Sequence, residues 1–450
     1  MKRKIYNRLK EWKQYRARKE AVLIDGARRV GKSYIAEEFA RNEYRSYILV
    51  NFGNMTKDLR DIFDNYLTDL DSFFTRLSLW SGVKLYEQDS LIIFDEVQLY
   101  PKAREAIKWL VADNRYDYLE TGSLVSIHKN TKGIVIPSEE CHIDMHPMDF
   151  EEFLWALGED FIMSFVKDCF ESKQSLGAAL HRKLMDYLRL YMIVGGMPQA
   201  VNEYVETKDF DNVDHIKRNI LNLYRNDIYN YSANDASKVV RVFDSIPGQL
   251  QRHEKRFRIG ELQKGARTRD YQNAFFWLEE ARVVNTCYAA TEPSIGLKLN
   301  RDDAKYKLYF ADTGLLISHS FDESEILTNK LYVKLMLDKI EVNKGMLVEN
   351  LVAQMFRSEG KKLYYYTQSN RENSDENIEI DFLIRKPIVT TRHNICPIEV
   401  KSSSNYKTSS LIKFRNKFNQ YLHTCYVLHS GDLKEENGIL YLPLYMAPLL

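Results

Sequence analysis

The chain has 450 residues, 28% of them charged, and its 64 basic and 63 acidic side chains leave a formal charge of only +1. That length exceeds one ordinary hydrophobic core and predicts roughly three or four domains, while the charge balance excludes a global field for nucleic acid, so any basic surface is local. Five scattered cysteines (Cys141, Cys169, Cys287, Cys396, Cys425), with no CxxC or histidine spacing, argue against both a zinc site and a disulfide framework and fit a reducing cytoplasm.

The basic opening "MKRKIYNRLKEWKQYRARKE" lacks the apolar core and small-residue cleavage site of a signal peptide. No run of ~18 apolar residues is present, so a cytoplasmic protein without membrane contact is expected. Residues 1–150 alternate short apolar runs with helical patterns: "AVLID", "YRSYILVNF", "SLIIFDE", "YDYLETGS" and "CHIDMHP". Buried strands separated by helices predict an α/β domain with a parallel sheet. From 151 to 235 apolar residues recur at helical spacing, interrupted by "VGGMPQAV", whose glycines and proline predict a turn. Residues 236–320 read as helices followed by two strands, "ARVVNTCYAA" and "KYKLYF", and a final turn at "ADTGLL". After a link near 321–344, residues 335–450 follow a new order of helix, three strands, helix and strand, with "SNRENSDEN" as a hairpin loop. That order predicts a second α/β unit.

Gly26, Gly31, Lys32 and Ser33 match GxxxxGK[ST] between the apolar run "AVLID" and the helical pattern "SYIAEEFA". Glycines let backbone amides turn inward around phosphates, the helix N-terminus adds positive potential, Lys32 neutralises the β and γ oxygens, and Ser33 donates its hydroxyl to Mg²⁺. The loop Gly26, Ala27, Arg28, Arg29, Val30, Gly31, Lys32, Ser33 and Tyr34 is therefore the expected nucleotide-binding segment. "LIIFDE" ends in Asp95 and Glu96: the apolar strand delivers one carboxylate to the metal, and the next orients and deprotonates the attacking water. "YDYLETGS" brings the hydroxyls of Thr121 and Ser123, suited to the same water or the γ-phosphate, although turn residues at a strand end look the same.

These segments, with "HPMDFEEFLWA", "GGMPQAV", "LYRNDI" and "KLYFADTGLL", resemble the bacterial and archaeal AAA-type ATPases that carry a C-terminal restriction-endonuclease-like domain of unknown function. The resemblance covers nearly the whole chain. It implies an additional-strand ATPase core over 1–150, a helical lid over 151–235, a winged-helix module over 236–320 and a restriction-endonuclease-like domain over 335–450. It also implies ATP as the nucleotide, Mg²⁺ on Ser33 and Asp95, Glu96 as the residue that activates water, and Thr121 as the sensor on the fourth strand. Relatives often carry a Gly-Arg pair before "PMDFEEF", whereas "GIVIPSEECHIDMHP" contains no arginine. Arg182, Arg189 and Arg225 are then unranked candidates for an arginine finger. ATPases of this type often need a neighbour to complete the site, which leaves room for a homo-oligomer.

In the C-terminal part, Glu349 lies in "GMLVENLVAQMF", Asp381 in "IEIDFLI", and Glu399 and Lys401 in "PIEVK". Residues two apart on a strand share a face, so Glu399 and Lys401 emerge together. Asp381 and Glu399 would hold Mg²⁺ beside a phosphodiester while Lys401 positions water or offsets transition-state charge. The element order with E…D…ExK resembles the core of the restriction-endonuclease superfamily; a Glu399–Lys401 pair on an exposed strand is the bland alternative. Residues 252–269, "RHEKRFRIGELQKGARTR", concentrate basic side chains. They are where a recognition helix of a winged-helix module would meet DNA phosphates, or else a solvated helix face.

Two functions follow. The first is a Mg²⁺-dependent ATPase that couples nucleotide state to DNA binding or cleavage by the C-terminal domain. The second is an ATP-gated protein-interaction switch with a catalytically silent nuclease-like docking domain.

Overall fold

A computed structural model describes residues 1–122, 138–231, 235–252, 255–294, 296–321, 344–370, 373, 376–386, 393–403 and 405–450. Ser123, most of the link after residue 321 and part of the "SNRENSDEN" loop lie outside the described residues. The chain divides into two compact units, Met1–His146 and Pro147–Leu450. Among the described residues no helix is long and apolar enough to cross a membrane.

In the N-terminal unit, helix α1 (Ile5–Tyr15) precedes β1 (Ala21–Gly26), α2 (Lys32–Glu43), β2 (Ser46–Asn51), α3 (Lys57–Asn65) and α4 (Leu70–Ser81). Then come β3 (Ser90–Asp95), α5 (Pro101–Asp113), β4 (Asp117–Gly122) and β5 (Glu140–Met145). The pairings among these strands are parallel, in the order β2-β3-β4-β1-β5. The central strands β1, β3 and β4 are buried at every residue, which is why their sequences read as unbroken apolar runs rather than alternations. On one side Phe52, Phe63, Phe73 and Phe94 pack with Ile92, Leu110 and Tyr118 into an aromatic core. The helices there start where side chains cap them: Thr56 accepts from the Leu59 amide at 3.2 Å, and Asp69 from the Ser72 amide at 3.3 Å. The parallel register brings Gly26, Asp95 and Thr121 to the carboxyl ends of neighbouring strands, the edge at which open α/β sheets bind ligands.

The C-terminal unit begins with helices α6 (Phe150–Ala156), α7 (Ile162–Ser172), α8 (Ala178–Val194), α9 (Pro198–Thr207), α10 (Phe210–Tyr231), α11 (Ala236–Leu250) and α12 (Thr268–Glu280). Strands β6 (Val284–Ala290) and β7 (Arg301–Phe310) form an antiparallel hairpin, followed by α13 (Thr313–Ser320) and α14 (Lys344–Ser358). The rest comprises β8 (Leu363–Gln368), β9 (Ile378–Arg385), β10 (Ile395–Val400), α15 (Ser409–Phe418), β11 (Cys425–His429), β12 (Lys434–Glu436) and β13 (Ile439–Pro443). One mixed sheet holds the strands in the order β12-β13-β11-β10-β9-β8-β6-β7. The hairpin, read from sequence as part of a separate small module, thus extends the sheet of the C-terminal strands by parallel pairing of β6 with β8.

Two local expectations give way to the structure. "ADTGLL" is not a terminal turn but opens helix α13, because Asp312 accepts from the Leu315 amide at 2.9 Å as its N-cap. Strands β12 and β13 escaped the sequence reading: β12 is short and exposed throughout, and β13 follows a charged stretch and ends at a proline, which masks its period.

Three of the sequence segments that carry the resemblance meet inside this unit. The Met148 amide donates to the Gly196 carbonyl at 2.6 Å, and the Gly196 amide donates to the buried Asp312 carboxylate at 2.5 Å. A Cβ on Gly196 would lie 2.1 Å from the Met148 carbonyl oxygen, so only glycine lets the two chain segments approach this closely. Gln354 of α14 closes the arrangement by donating to the Tyr191 hydroxyl at 2.9 Å and accepting from the Thr313 amide at 2.8 Å.

Candidate functional site

The glycine loop leaves β1 at Gly26, where the backbone runs close against β5: an added Cβ would sit 2.2 Å from the Met145 carbonyl oxygen. It enters α2 through Gly31 at φ 97°, a left-handed conformation that glycine adopts without a steric penalty. Gly31 has no side chain to cap that helix start, which leaves the first-turn amides to an anion. Arg28 and Arg29 are exposed, Val30 is buried, and Tyr34 is exposed on the first turn of α2. Arg3, absent from the sequence reading, steadies the loop: its guanidinium donates to the Val30 carbonyl at 2.9 Å and to the His146 carbonyl at 2.7 Å. A lone arginine inside a basic N-terminal run carries no signal that would single it out.

Lys32 is buried, and its ammonium donates to the carbonyls of Gly26 and Ala27, both at 3.0 Å. Burial pulls its pKa below the ordinary lysine value, while the nearby Glu96, Asp25 and Asp95 carboxylates oppose that shift. Asp95 is the hub of the site. Its carboxylate accepts from Ser33 Oγ at 2.6 Å, from Asn51 Nδ2 at 2.7 Å and from Thr121 Oγ1. The sequence reading missed Asn51, although it ends the apolar strand "YILVN" as Asp95 ends its own, and the two residues are register partners.

Glu96 follows with φ 57°, a left-handed backbone rare for a non-glycine residue. Its amide donates to Thr121 Oγ1 at 3.3 Å and its carboxylate accepts from Gln98 Nε2. Thr121 thus bridges both carboxylate-bearing residues from the neighbouring strand. The residues fit a nucleotide with Mg²⁺: one carboxylate and one hydroxyl in hydrogen-bond contact are a common protein share of a Mg²⁺ shell completed by phosphate and water. Of the arginine-finger candidates, Arg189 pairs with Asp186 at 2.6 Å and Arg225 with Asp244 at 3.2 Å, while Arg182 is exposed.

In the C-terminal unit the predicted residues are gathered in a different environment from the expected one. Glu349 is buried on α14 and accepts from Lys307 Nζ at 3.1 Å, from Lys255 Nζ and from the Tyr309 hydroxyl. Burial alone would raise its pKa, but those two ammonium groups hold it down at about 2. Asp381 accepts from the Val400 amide at 2.8 Å, and burial together with the Glu349 charge pushes its pKa up to about 7. Glu399 is buried, with Lys401 Nζ 2.8 Å away. Among the described residues no group of three or more His, Cys, Asp or Glu side chains is arranged to hold a metal ion. Lys307 was not anticipated; the available signal was a single lysine inside the otherwise apolar stretch "YKLYF".

The basic segment is only partly a surface. Lys255 turns inward to Glu349, Arg252 pairs with Glu261, and Arg269 lies 3.7 Å from Asp270. Its described residues up to Arg267 are irregular apart from a short 3-10 turn at Ile259–Glu261, and the next helix starts at Thr268. The expected recognition helix therefore does not run through the described part of 252–267, where Gly260 and Gly265 break the helical pattern.

A parallel sheet with β4 inserted between the strands of Gly26 and Asp95, joined to a GxxxxGKS loop, defines an additional-strand P-loop NTPase. Residues 18–154 match the family described as an AAA domain, so the chain carries a P-loop ATPase domain of that type. Residues 185–325 match a domain of unknown function (DUF8612) and residues 344–446 another (DUF4143). No curated protein matches the chain. Among solved structures, the ORC2 protein of Aeropyrum pernix in its ADPNP–ADP complexes is similar at 12% identity and a TM-score of 0.31, over 74% of this chain and 92% of that one. AMPPCP-bound DnaA from Aquifex aeolicus is similar at 12% identity and a TM-score of 0.27, over 62% and 86%. Cdc6p from Pyrobaculum aerophilum gives 13% identity and a TM-score of 0.24, over 74% and 92%.

Proposed function

We propose that this chain is a Mg²⁺-dependent ATPase whose nucleotide state governs what its C-terminal unit binds. The observation that carries the reading is Asp95, held by Ser33, Asn51 and Thr121 beside the loop of Lys32. Lys32 and the first amides of α2 bind and orient the phosphates. Ser33 and Asp95 would hold Mg²⁺, which when bound offsets phosphate charge. Glu96 takes the proton of the water that attacks the γ-phosphorus, and Thr121 keeps Glu96 and Asp95 in fixed relation. A homo-oligomer would bring a neighbour's arginine to the same phosphate.

DNA binding through 252–269 is one output, with Arg252, Arg258, Lys264, Arg267 and Arg269 as the exposed cations. A second output, docking of a protein partner on a silent nuclease-like module, is favoured over cleavage by one observation: Lys307 already lies among the carboxylates that cleavage would need. Phosphate release and supercoiled-plasmid integrity, measured in one Mg²⁺ reaction for wild type, Glu96→Gln and Asp381→Ala, test this reading. Turnover is expected to fall about a hundredfold or more in Glu96→Gln, and plasmid nicking to be absent throughout. Undiminished turnover in that variant sinks the role of Glu96, absence of turnover in the wild type sinks the ATPase assignment, and Asp381-dependent nicking sinks the silent module.

A further inference from the structure

The charged cluster around Glu349 spans four strands. Lys307 stands on β7 and Asp381 on β9, with β6 and β8 between them in the sheet order. Three strand spacings amount to ~14 Å, yet Lys307 Nζ lies 3.9 Å from Asp381 Oδ1. The long lysine side chain therefore lies across the sheet face instead of standing away from it. Its cross-strand partner on β6 is Cys287, a small residue that leaves room for that path. The lysine side chain is 1% exposed, and its ammonium also lies 3.1 Å from Glu349 and 3.3 Å from Glu379. The Tyr365 ring on β8, 5.0 Å from the same nitrogen, adds its negative face. Neighbouring groups complete the cluster: Lys255 serves the second oxygen of Glu349, Tyr309 donates to the first, the Val400 amide serves Asp381, and Lys401 pairs with Glu399.

A divalent metal needs oxygens at roughly 2.0–2.6 Å. The three carboxylates facing Lys307 surround a nitrogen instead, at hydrogen-bonding and ion-pairing distances. A metal entering there would have to displace a buried ammonium and leave it without its anions, a strongly unfavourable exchange by general experience with buried ion pairs. Glu349, Glu379 and Asp381 as arranged around Lys307 therefore do not fit the metal that a nuclease-like centre would require.

We propose that Lys307 is the resident cation of this cluster: the β6–β7 hairpin supplies an ammonium to Glu349, Glu379 and Asp381, in the place where a metal would otherwise sit. The proposal sharpens the docking-module reading above and rests on it. It also gives the hairpin a definite job, since the ammonium ties β7 to α14 and β9.

The test counts Mn²⁺ bound to the full chain without nucleotide, by the electron paramagnetic resonance of free Mn²⁺. Wild type, Asp381→Asn, Lys307→Met and the Lys307→Met/Asp381→Asn pair are compared. Wild type and Asp381→Asn are expected to bind alike up to millimolar Mn²⁺, whereas Lys307→Met gains one site that the second substitution removes. An Asp381-dependent site in wild type overturns the proposal, and so does a folded Lys307→Met that gains none. Should Lys307→Met fail to fold, Lys307→Arg takes its place beside wild type. Mn²⁺ binding that is independent of Asp381 in both supports a resident cation, and an Asp381-dependent site in either rejects it. Phosphate release is read separately, so failure of the ATPase assignment leaves this result interpretable.

Discussion

Replacing Lys32 by alanine separates the role of the loop in folding from its role with phosphate. The ammonium makes hydrogen bonds to two neutral carbonyls, Gly26 and Ala27, both at 3.0 Å. Such charge-assisted bonds contribute about 1.5–3 kcal/mol each at an ordinary site. Desolvation is large here, because burial is the dominant influence and depresses the lysine pKa. The two effects nearly offset, so stability should change by no more than ~1 kcal/mol. With the β and γ phosphates bound the balance differs, since the same ammonium faces anions. Removing one preorganised donor from a developing anion typically costs ~10²–10³ in rate, or about 3–4 kcal/mol. The expected outcome is a turnover loss of that size, measured by phosphate release, with a thermal midpoint close to wild type. A variant that keeps turnover within about tenfold, or loses it only in step with unfolding, refutes the reasoning.

Thr121→Val removes the hydroxyl that donates to Asp95 and accepts from the Glu96 amide; kcat should fall about 10- to 100-fold with nucleotide Kd nearly unchanged, and an equal loss in both would argue for a purely structural role. Gly196→Ala drives a Cβ into the Met148 carbonyl, so overpacking and the weakened Met148–Gly196 bond should lower stability by about 2–4 kcal/mol. A thermal melt unchanged from wild type would contradict that packing. His142 faces Asp25 and Glu140, whose hydrogen bonds raise its pKa to about 9. Because the folded-state value lies above the ordinary 6.5, this stabilisation is complete below pH 6.5 and is lost as pH rises through 9. The melting difference between wild type and His142→Gln should therefore shrink between about pH 6 and about pH 10, and a difference independent of pH would count against the ion pair.

The glycine loop between β1 and α2 was legible because its signals are local. Gly26 through Ser33 follow one another, and the flanking strand and helix announce themselves by an apolar run and a helical period. Asp95 and Thr121 were legible for a related reason: each lies at the end of an apolar strand, and parallel strands of one sheet end at one edge. Asn51 and Arg3 were not, since neither differs from an ordinary strand end or a basic N-terminal residue until register and burial place them against Asp95 and Val30.

The sequence by itself determined the α/β class, the loop and most of the order of elements, all of which depend on period and nearest neighbours. It also placed Glu349, Asp381, Glu399 and Lys401 on the helix and strands where the structure has them or, for Lys401, just past a strand end. What it left undetermined was the company those carboxylates keep. Lys307 is 42 residues from Glu349 in the chain, and their 3.1 Å contact exists only because α14 packs on the sheet face across which the lysine lies. A carboxylate beside a metal and a carboxylate beside a buried ammonium are the same letter in a sequence, and tertiary structure decided between them by choosing the cation.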